Sequence, residues 1–193
     1  MTDITSEGPS KHVAATGHPT PAAANDRPSS LVDLIAYIEL FYFAYRDFTC
    51  DPDAILAQYG FGRAHHRVLH FVHRIPGLKV AELLDILNIT KQSLARVLKQ
   101  LVDEGFIIQK AGNEDRRERR LYLSAKGTRL NDKLTQIQAK RIEGALANLG
   151  PGADAIARNF LFGMITEKNR PQVETLIKGQ QADTSEAVPD CNP

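Results

Sequence analysis

Residues 91–104 carry polar and cationic side chains along one side of a predicted α-helix. Apolar residues recur there at three- and four-residue steps, which predicts an inward-facing stripe of Leu94, Val97, Leu98 and Leu101. The opposite side carries Lys91, Gln92, Ser93, Arg96 and Lys99. These side chains can donate hydrogen bonds to phosphates, and Arg, Lys and Gln can also donate to base edges in a major groove. No acidic residue occurs between Asp85 and Asp103 to repel a phosphate, although a solvated helix face remains the alternative interpretation.

A second cationic cluster follows in the loop 110–120. The short apolar segments 106–108 and 121–123 on either side of it predict the two strands of a β-hairpin. The loop contains Arg116, Arg117 and Arg119, and arginines of this kind can enter a narrow, electronegative minor groove. Its acidic residues, Glu114, Asp115 and Glu118, would reduce that affinity, and a mobile charged loop is the alternative.

Short elements must position both clusters. Residues 80–87 have the apolar spacing of a short helix, and Asn88-Ile89-Thr90 form a three-residue break. Thr90 is a predicted N-cap for the helix that follows, and its hydroxyl is also a candidate DNA contact. Helix, break, second helix and hairpin together predict a unit that reads double-stranded DNA.

The distribution of charge supports a polyanionic partner. Lys and Arg number 24 against 23 Asp and Glu, for a net charge of +1, but residues 61–129 alone carry 14 basic and 7 acidic side chains. No apolar run is long enough to span a bilayer, and no signal pattern occurs, so we expect a cytoplasmic protein. No phosphate-binding loop, catalytic triad or paired-carboxylate site is evident, which argues against an enzyme and against a cofactor.

Apolar helices are predicted on both sides of the DNA-reading unit. We expect a disordered arm at 1–29, a helix and linker at 30–60 and the DNA-binding domain at 61–124. Two helices should follow at 125–149 and 153–168 within a segment 125–177, before a flexible tail at 178–193. Within 30–60, Asp51-Pro52-Asp53 should end the first helix near residue 48, before a short helical piece at 54–59. The outer helices have more apolar surface than a monomer needs, which predicts dimerisation.

The chain resembles the MarR family of winged helix-turn-helix regulators across about 31–168. Four segments carry the resemblance: 78–84, 89–98, 101–107, and Asp115-Arg116-Arg117 followed by 121–127. It implies a mainly α fold with a small β-hairpin wing, flanked by N- and C-terminal dimerisation helices. It also implies a homodimer that represses transcription from a palindromic operator until a small-molecule effector binds. In the wing it assigns the minor-groove contact to Arg117 and the positioning of that arginine to Asp115.

The sequence indicates the residues that would sense an effector less clearly than the residues that would contact DNA. Tyr42, Tyr45, His65 and His66 are candidate effector contacts, although aromatic residues at helical spacing are more often core or interface. His66, His70 and His73 have a spacing that can chelate zinc, but no acidic or cysteine ligand lies on that helix, so we expect no metal. The two cysteines, Cys50 and Cys191, leave a redox sensor as an alternative. A winged-helix module for protein contact, with weak DNA binding, is the remaining alternative.

Overall fold

The computed structural model describes residues 30–112 and 118–185. It is mainly helical, with one small antiparallel sheet. The elements in chain order are α1 (Leu31–Ala57), α2 (Arg63–Arg74), β1 (Leu78–Lys79), α3 (Val80–Leu87), α4 (Lys91–Asp103), β2 (Ile107–Ala111), β3 (Arg119–Leu123), α5 (Ala125–Ala147), α6 (Ala153–Gly163), a 3₁₀ turn (Glu167–Asn169) and α7 (Arg170–Ser185). Predicted Asp115, Arg116 and Arg117 lie outside the described residues.

One core joins α2, α3, α4, α5 and the sheet. Each element contributes a leucine with no measurable exposure: Leu69, Leu83, Leu101, Leu121 and Leu134. Burying a leucine side chain stabilises a fold by roughly 1.5–3 kcal/mol. The core therefore fixes the helix-turn-helix pair, the hairpin and the start of α5 against one another, as expected for the winged helix-turn-helix fold.

The sheet contains a short strand that the sequence analysis did not predict. Leu78 and Lys79 form β1, which pairs antiparallel with β3 and gives the strand order β1-β3-β2. The β2–β3 hairpin was predicted. β1 has only two residues, too few to show a period along the chain. Its Leu78 is 3% exposed and lies opposite Leu121, so tertiary pairing determines its conformation.

The first helix does not end at Asp51-Pro52-Asp53, and that prediction was wrong. α1 runs without a break through Pro52 to Ala57. A proline inside a helix costs about 3 kcal/mol because it removes one hydrogen bond and crowds the preceding turn. Here Pro52 and Leu56 are both buried, and Thr49 Oγ1 donates to the carbonyl of Tyr45 at 2.9 Å. Burial in the core outweighs the local preference for a break.

The N-terminal part of α1 belongs to a separate unit, which ends at Ala44. From Leu31 to Ala44 nearly every residue is exposed, including Leu31 at 73%, Val32 at 75% and Leu40 at 64%. This half of the helix therefore presents a large apolar surface.

The C-terminal helices also differ from expectation. The predicted helix at 153–168 ends at Gly163, and α7 continues to Ser185, past the predicted boundary at residue 177. The turn forms because Arg170 donates to two carbonyls near the end of α6, those of Gly163 at 3.1 Å and Ile165 at 3.0 Å. Pro171 then occupies the first turn of α7, where its missing N–H costs little. Among the described residues, no helix is both apolar and long enough to cross a membrane.

Candidate nucleic-acid interface

The start of α4 is held by its N-cap. Thr90 Oγ1 accepts a hydrogen bond from the backbone N–H of Ser93 at 3.2 Å and donates to Ser93 Oγ at 2.8 Å. Asn88 ends α3 in the left-handed region at φ 48°, which turns the chain sharply into α4. The predicted cap is therefore present, and it fixes the direction in which α4 leaves the turn.

The two sides of α4 have opposite chemistry. The predicted stripe of Leu94, Val97, Leu98 and Leu101 is at most 7% exposed. Four of the predicted DNA-contact residues are exposed on the helix, namely Lys91, Gln92, Arg96 and Lys99, while Ser93 is half-buried against Thr90. Lys99 forms an ion pair with Asp103 one turn later. The other three donors, Lys91, Gln92 and Arg96, therefore project from the N-terminal half of α4, away from Asp103, the only acidic residue of this helix.

The end of α4 is attached to the beginning of α5. Gly105 turns the chain at φ +75°, and Ser124, the N-cap of α5, donates through Oγ to the Gly105 carbonyl at 2.7 Å. Lys126 Nζ donates to the Glu104 carbonyl at 2.9 Å and lies 4.0 Å from the centre of the Phe106 ring. The sequence analysis did not predict this direct link between the two helices.

The wing is closed at its base by backbone. Gly112 N–H donates to the Glu118 carbonyl at 3.0 Å, and Arg119 pairs with Ala111 as the first residue of β3. Arg119 is exposed, as expected for a DNA contact.

Three cations lie side by side across the sheet, and the sequence analysis did not predict this arrangement. Lys79 of β1 is opposite Arg120 of β3, and Arg120 is opposite Lys110 of β2. Opposite residues of an antiparallel sheet point to the same face. The adjacent row, with buried Leu78 and Leu121, faces the core, so Lys79, Arg120 and Lys110 share the solvent face. We call these three residues the wing-root row. Only the strand register, which periodicity does not give, reveals it.

Glu118 lies against two of these cations. Its Oε2 is 2.8 Å from Lys79 Nζ, and its Oε1 is 2.9 Å from Arg120 Nε. The hydrogen bond from Lys79, opposed in part by desolvation and aided by the positive charges, holds the pKa of the Glu118 carboxyl below its ordinary value. The carboxylate is therefore ionised at neutral pH.

The predicted effector residues enter separate contacts. Tyr42 is 75% exposed in the N-terminal unit. Tyr45 lies beneath the guanidinium of Arg63 at 5.2 Å, and Arg63 in turn bonds Asp53 at 2.8 Å. His65 Nε2 lies 3.0 Å from Gln100 Oε1 on α4.

The remaining histidines of α2 are partly or fully covered. His66 is buried, and desolvation lowers its pKa, although the negative charge of Asp53 partly opposes this. Burial, reinforced by the nearby charges of Arg74, His66 and His73, lowers the pKa of His70 to about 4. Within the ranges that the structure describes, no group of three or more His, Cys, Asp or Glu side chains could hold a metal ion.

A cleft of about 350 Å³ lies instead between α2 and α5. His70, His73 and Arg74 line one side of it, and Asn131, Asp132 and Gln136 line the other. Asn131 is 2% exposed, and its buried Oδ1 accepts no hydrogen bond from the described residues. The cleft therefore offers an unused acceptor, a cation and a neutral imidazole to a small polar molecule. His65 and His66, the two histidines named in the sequence analysis, do not line this cleft, which sequence reasoning did not find because it could not place α5 beside α2.

Comparison with known proteins agrees with this architecture. A family model described as MarR family matches residues 59–118. The HTH-type transcriptional regulator PetP of Rhodobacter capsulatus is 45% identical over 139 residues, which cover 72% of this chain and 84% of that protein.

Solved structures share the fold. The crystal structure of MarR superposes with a TM-score of 0.55 at 22% identity, covering 79% of this chain and 99% of that one. Streptococcus pneumoniae FabT, crystallised in complex with DNA, gives a TM-score of 0.61 at 15% identity, covering 68% of this chain and 94% of that one. Fold, family model and sequence identity all lead to one conclusion: the chain belongs to the MarR family of helix-turn-helix transcriptional regulators, which are DNA-binding proteins and not enzymes.

Proposed function

We propose that the protein is a homodimeric, effector-responsive repressor that binds a palindromic operator in the cytoplasm. The observation that carries this proposal is the two-sided chemistry of α4, whose exposed Lys91, Gln92 and Arg96 lie opposite a buried apolar stripe. Such a helix can enter a major groove without exposing its core. The Asp115-Arg116-Arg117 segment would add minor-groove contacts from the wing.

Dimerisation is supported by apolar surface outside the DNA-binding core. Ile156 is 71% exposed and Leu161 55% on α6, Met164 directly after α6 is 58% exposed, and Ile142 of α5 is 50% exposed. Together with the exposed N-terminal half of α1, these residues would be covered by a second copy. A two-fold axis would place two α4 helices about 34 Å apart, one DNA turn, which explains why the operator should be palindromic.

Effector response is supported by the cleft between α2 and α5. A small molecule that prefers one dimer geometry would shift the population of dimers and so change the affinity for DNA. The unused Asn131 Oδ1 favours a ligand with a hydrogen-bond donor. Substituting Asn131→Leu should therefore abolish effector-induced DNA release while leaving DNA binding intact.

The test of DNA binding begins with selecting bound fragments from the genome of the source organism. Affinity for the selected duplex should fall steeply with salt, and Arg117→Ala should reduce both the affinity and the slope of that dependence. A salt-independent or sequence-independent interaction would instead favour a winged-helix module for protein contact.

A redox-sensing regulator of the same fold is the second candidate, because Cys50 is a free, exposed thiol. Treating the DNA complex separately with peroxide, Zn²⁺ and aromatic acids distinguishes the triggers. If peroxide releases the DNA from the wild-type protein but not from Cys50→Ser, the regulator senses oxidation and not a small-molecule effector.

A further inference from the structure

The wing-root row holds three cations on one solvent-facing surface with a single acid among them. We propose that Lys79, Arg120 and Lys110 form a second phosphate-binding surface for duplex DNA, and that Glu118 is its internal counter-ion. The proposal rests on the proposed DNA-binding function and adds contacts beyond those of α4 and of the Asp115-Arg116-Arg117 segment.

Charge is the first argument. Like charges placed directly opposite on neighbouring strands destabilise a sheet. The row makes two such pairs, Lys79 with Arg120 and Arg120 with Lys110. Glu118 neutralises one of the three positive charges. Glu82, whose Oε2 accepts the backbone N–H of Lys79 at 2.9 Å, adds a second negative charge near Lys79, so a net charge of about +1 remains around the row. Lys110 lies 4.9 Å from the centre of the Tyr122 ring, and no carboxylate of the described residues is within ion-pair distance of it. Folding therefore brings three like charges together and leaves Lys110 without an ion pair to the described residues.

Exposure is the second argument. The side chains of Lys79 and Arg120 are 40% and 43% exposed, whereas that of Glu118 is 23% exposed. An anion that approaches from solvent therefore meets the cations before it meets the acid. Arg120 meets Glu118 through Nε, 2.9 Å from Oε1. A guanidinium carries five N–H donors, so this contact leaves further donors of Arg120 for a phosphate.

Position in the fold is the third argument. β1 continues directly into α3 of the helix-turn-helix pair, while β2 and β3 lead into and out of the wing. The row therefore lies at the junction between the two parts that contact DNA in the proposed complex. Lysine and arginine at such a junction would contact the phosphodiester backbone, which positions the protein without reading sequence.

The test measures binding of the full-length protein by fluorescence anisotropy between 50 and 200 mM salt. Two labelled duplexes are compared, one selected from genomic fragments and one scrambled version of the same length. Lys110→Gln should weaken binding to both duplexes by the same factor. One lost phosphate contact should also make the ratio of Kd at 200 mM to Kd at 50 mM about 3.5-fold smaller than in the wild type.

Glu118→Gln should act in the opposite direction. It frees Lys79 and Arg120, so affinity for the scrambled duplex should rise, and the Kd ratio should increase by about 3.5-fold for each additional phosphate that these cations bind. Glu174→Gln is the matched control, because it makes the same change in net charge and frees Lys178 in an exposed pair on α7. It should leave both affinities and both ratios unchanged.

The outcomes separate the two levels of the argument. If the wild-type protein binds neither duplex, the proposed function fails. If it binds with steep salt dependence but Lys110→Gln leaves the Kd ratio unchanged, the proposed surface is wrong and the row is only structural. Lys110 makes no ion pair with the described residues, so its substitution tests the proposal even if Glu118→Gln disturbs folding.

Discussion

The imidazole of His65 on α2 and the side-chain amide of Gln100 on α4 lie 3.0 Å apart, Nε2 to Oε1. The N–H of Gly62 donates to His65 Nδ1 at 3.1 Å, so Nδ1 must be the unprotonated nitrogen and Nε2 must carry the proton. Gln100 in turn donates to Glu104 Oε1 at 3.0 Å. His65 thus connects the start of α2 to the last turns of α4.

A double-mutant cycle between His65 and Gln100 should report this contact. Each hydrogen bond is worth about 1 kcal/mol, so His65→Ala, which removes two, should lower the free energy of unfolding by roughly 1–3 kcal/mol. Urea denaturation of His65→Ala, Gln100→Ala and the double mutant should give a coupling energy of about 0.5–1.5 kcal/mol. Strict additivity would show that the two side chains do not interact in solution.

Gly127 should tolerate no side chain. A Cβ built there lies 2.2 Å from the carbonyl oxygen of Phe106, which is backbone and cannot move away cheaply. We expect Gly127→Ala to lower the free energy of unfolding by roughly 1–3 kcal/mol. Gly144→Ala on the same helix has nothing within 4 Å and should stabilise by about 0.5–1 kcal/mol. Equal thermal stability of the two variants would contradict the close approach of α5 to residue 106.

The free energy of unfolding should decrease as the pH falls below 6.5, the ordinary pKa of histidine. The pKa of His70 is lowered from 6.5 to about 4, mainly by burial, so the folded protein keeps the ring neutral. Between these values the unfolded chain binds a proton that the folded chain does not. The free energy of unfolding is then lost as pH falls from 6.5 toward 4, by at most about 1.4 kcal/mol per pH unit. Denaturation across this range should show a smaller slope for His70→Gln, and an unchanged slope would assign the effect to other groups.

Arg96 should contribute to sequence reading. Arg96→Ala removes an exposed guanidinium from the face of α4, and we expect a loss of about 1–3 kcal/mol of discrimination at one base pair. Binding to a panel of single-base operator variants measures this. Lys140→Ala removes an exposed cation from α5 and should change neither affinity nor preference. A uniform loss across the panel would assign Arg96 to a phosphate instead.

The exposed apolar face of α6 should be needed for dimerisation. Ile156→Asp should shift the protein to monomer, because a carboxylate buried without a partner opposes association. Ala155→Asp adds the same charge at an exposed position about 100° around the same helix and should remain dimeric. Analytical ultracentrifugation distinguishes them. A dimer that survives Ile156→Asp would exclude α6 from the interface.

Local sequence signals were sufficient to predict the position of α4. Thr90 as a cap and four leucine or valine residues at helical spacing predicted Lys91–Glu104, and α4 runs from Lys91 to Asp103. The same reasoning failed at Pro52, because the cost of a proline in a helix is local, whereas the burial of Pro52 and Leu56 depends on the tertiary fold. The local cost of a proline can be predicted from the sequence alone, whereas the burial of Pro52 and Leu56 can be predicted only once the packing of the core is known.

The part of the candidate site that was missed depends on register. Arg120 was seen as one of several arginines in a loop, yet its significance comes from lying opposite both Lys79 and Lys110. Two of those three strands are joined by a hairpin, but β1 is distant in sequence and only two residues long. The predicted contacts of Asp115, Arg116 and Arg117 stay predictions, because those residues lie outside the described ranges.

The hydrogen bonds from Ser124 and Lys126 to the carbonyls of Gly105 and Glu104 attach the end of α4 to the first turn of α5. α5 has 23 residues and is therefore about 34 Å long, so a change in its tilt would be transmitted to the end of α4. In the proposed dimer, a tilt of α5 by a few degrees would rotate each α4 helix relative to the DNA groove that it enters. A ligand bound beside Asn131, in the second turn of α5, would act close to the attachment of α5 to α4. A small displacement there would produce the largest change in the tilt of α5.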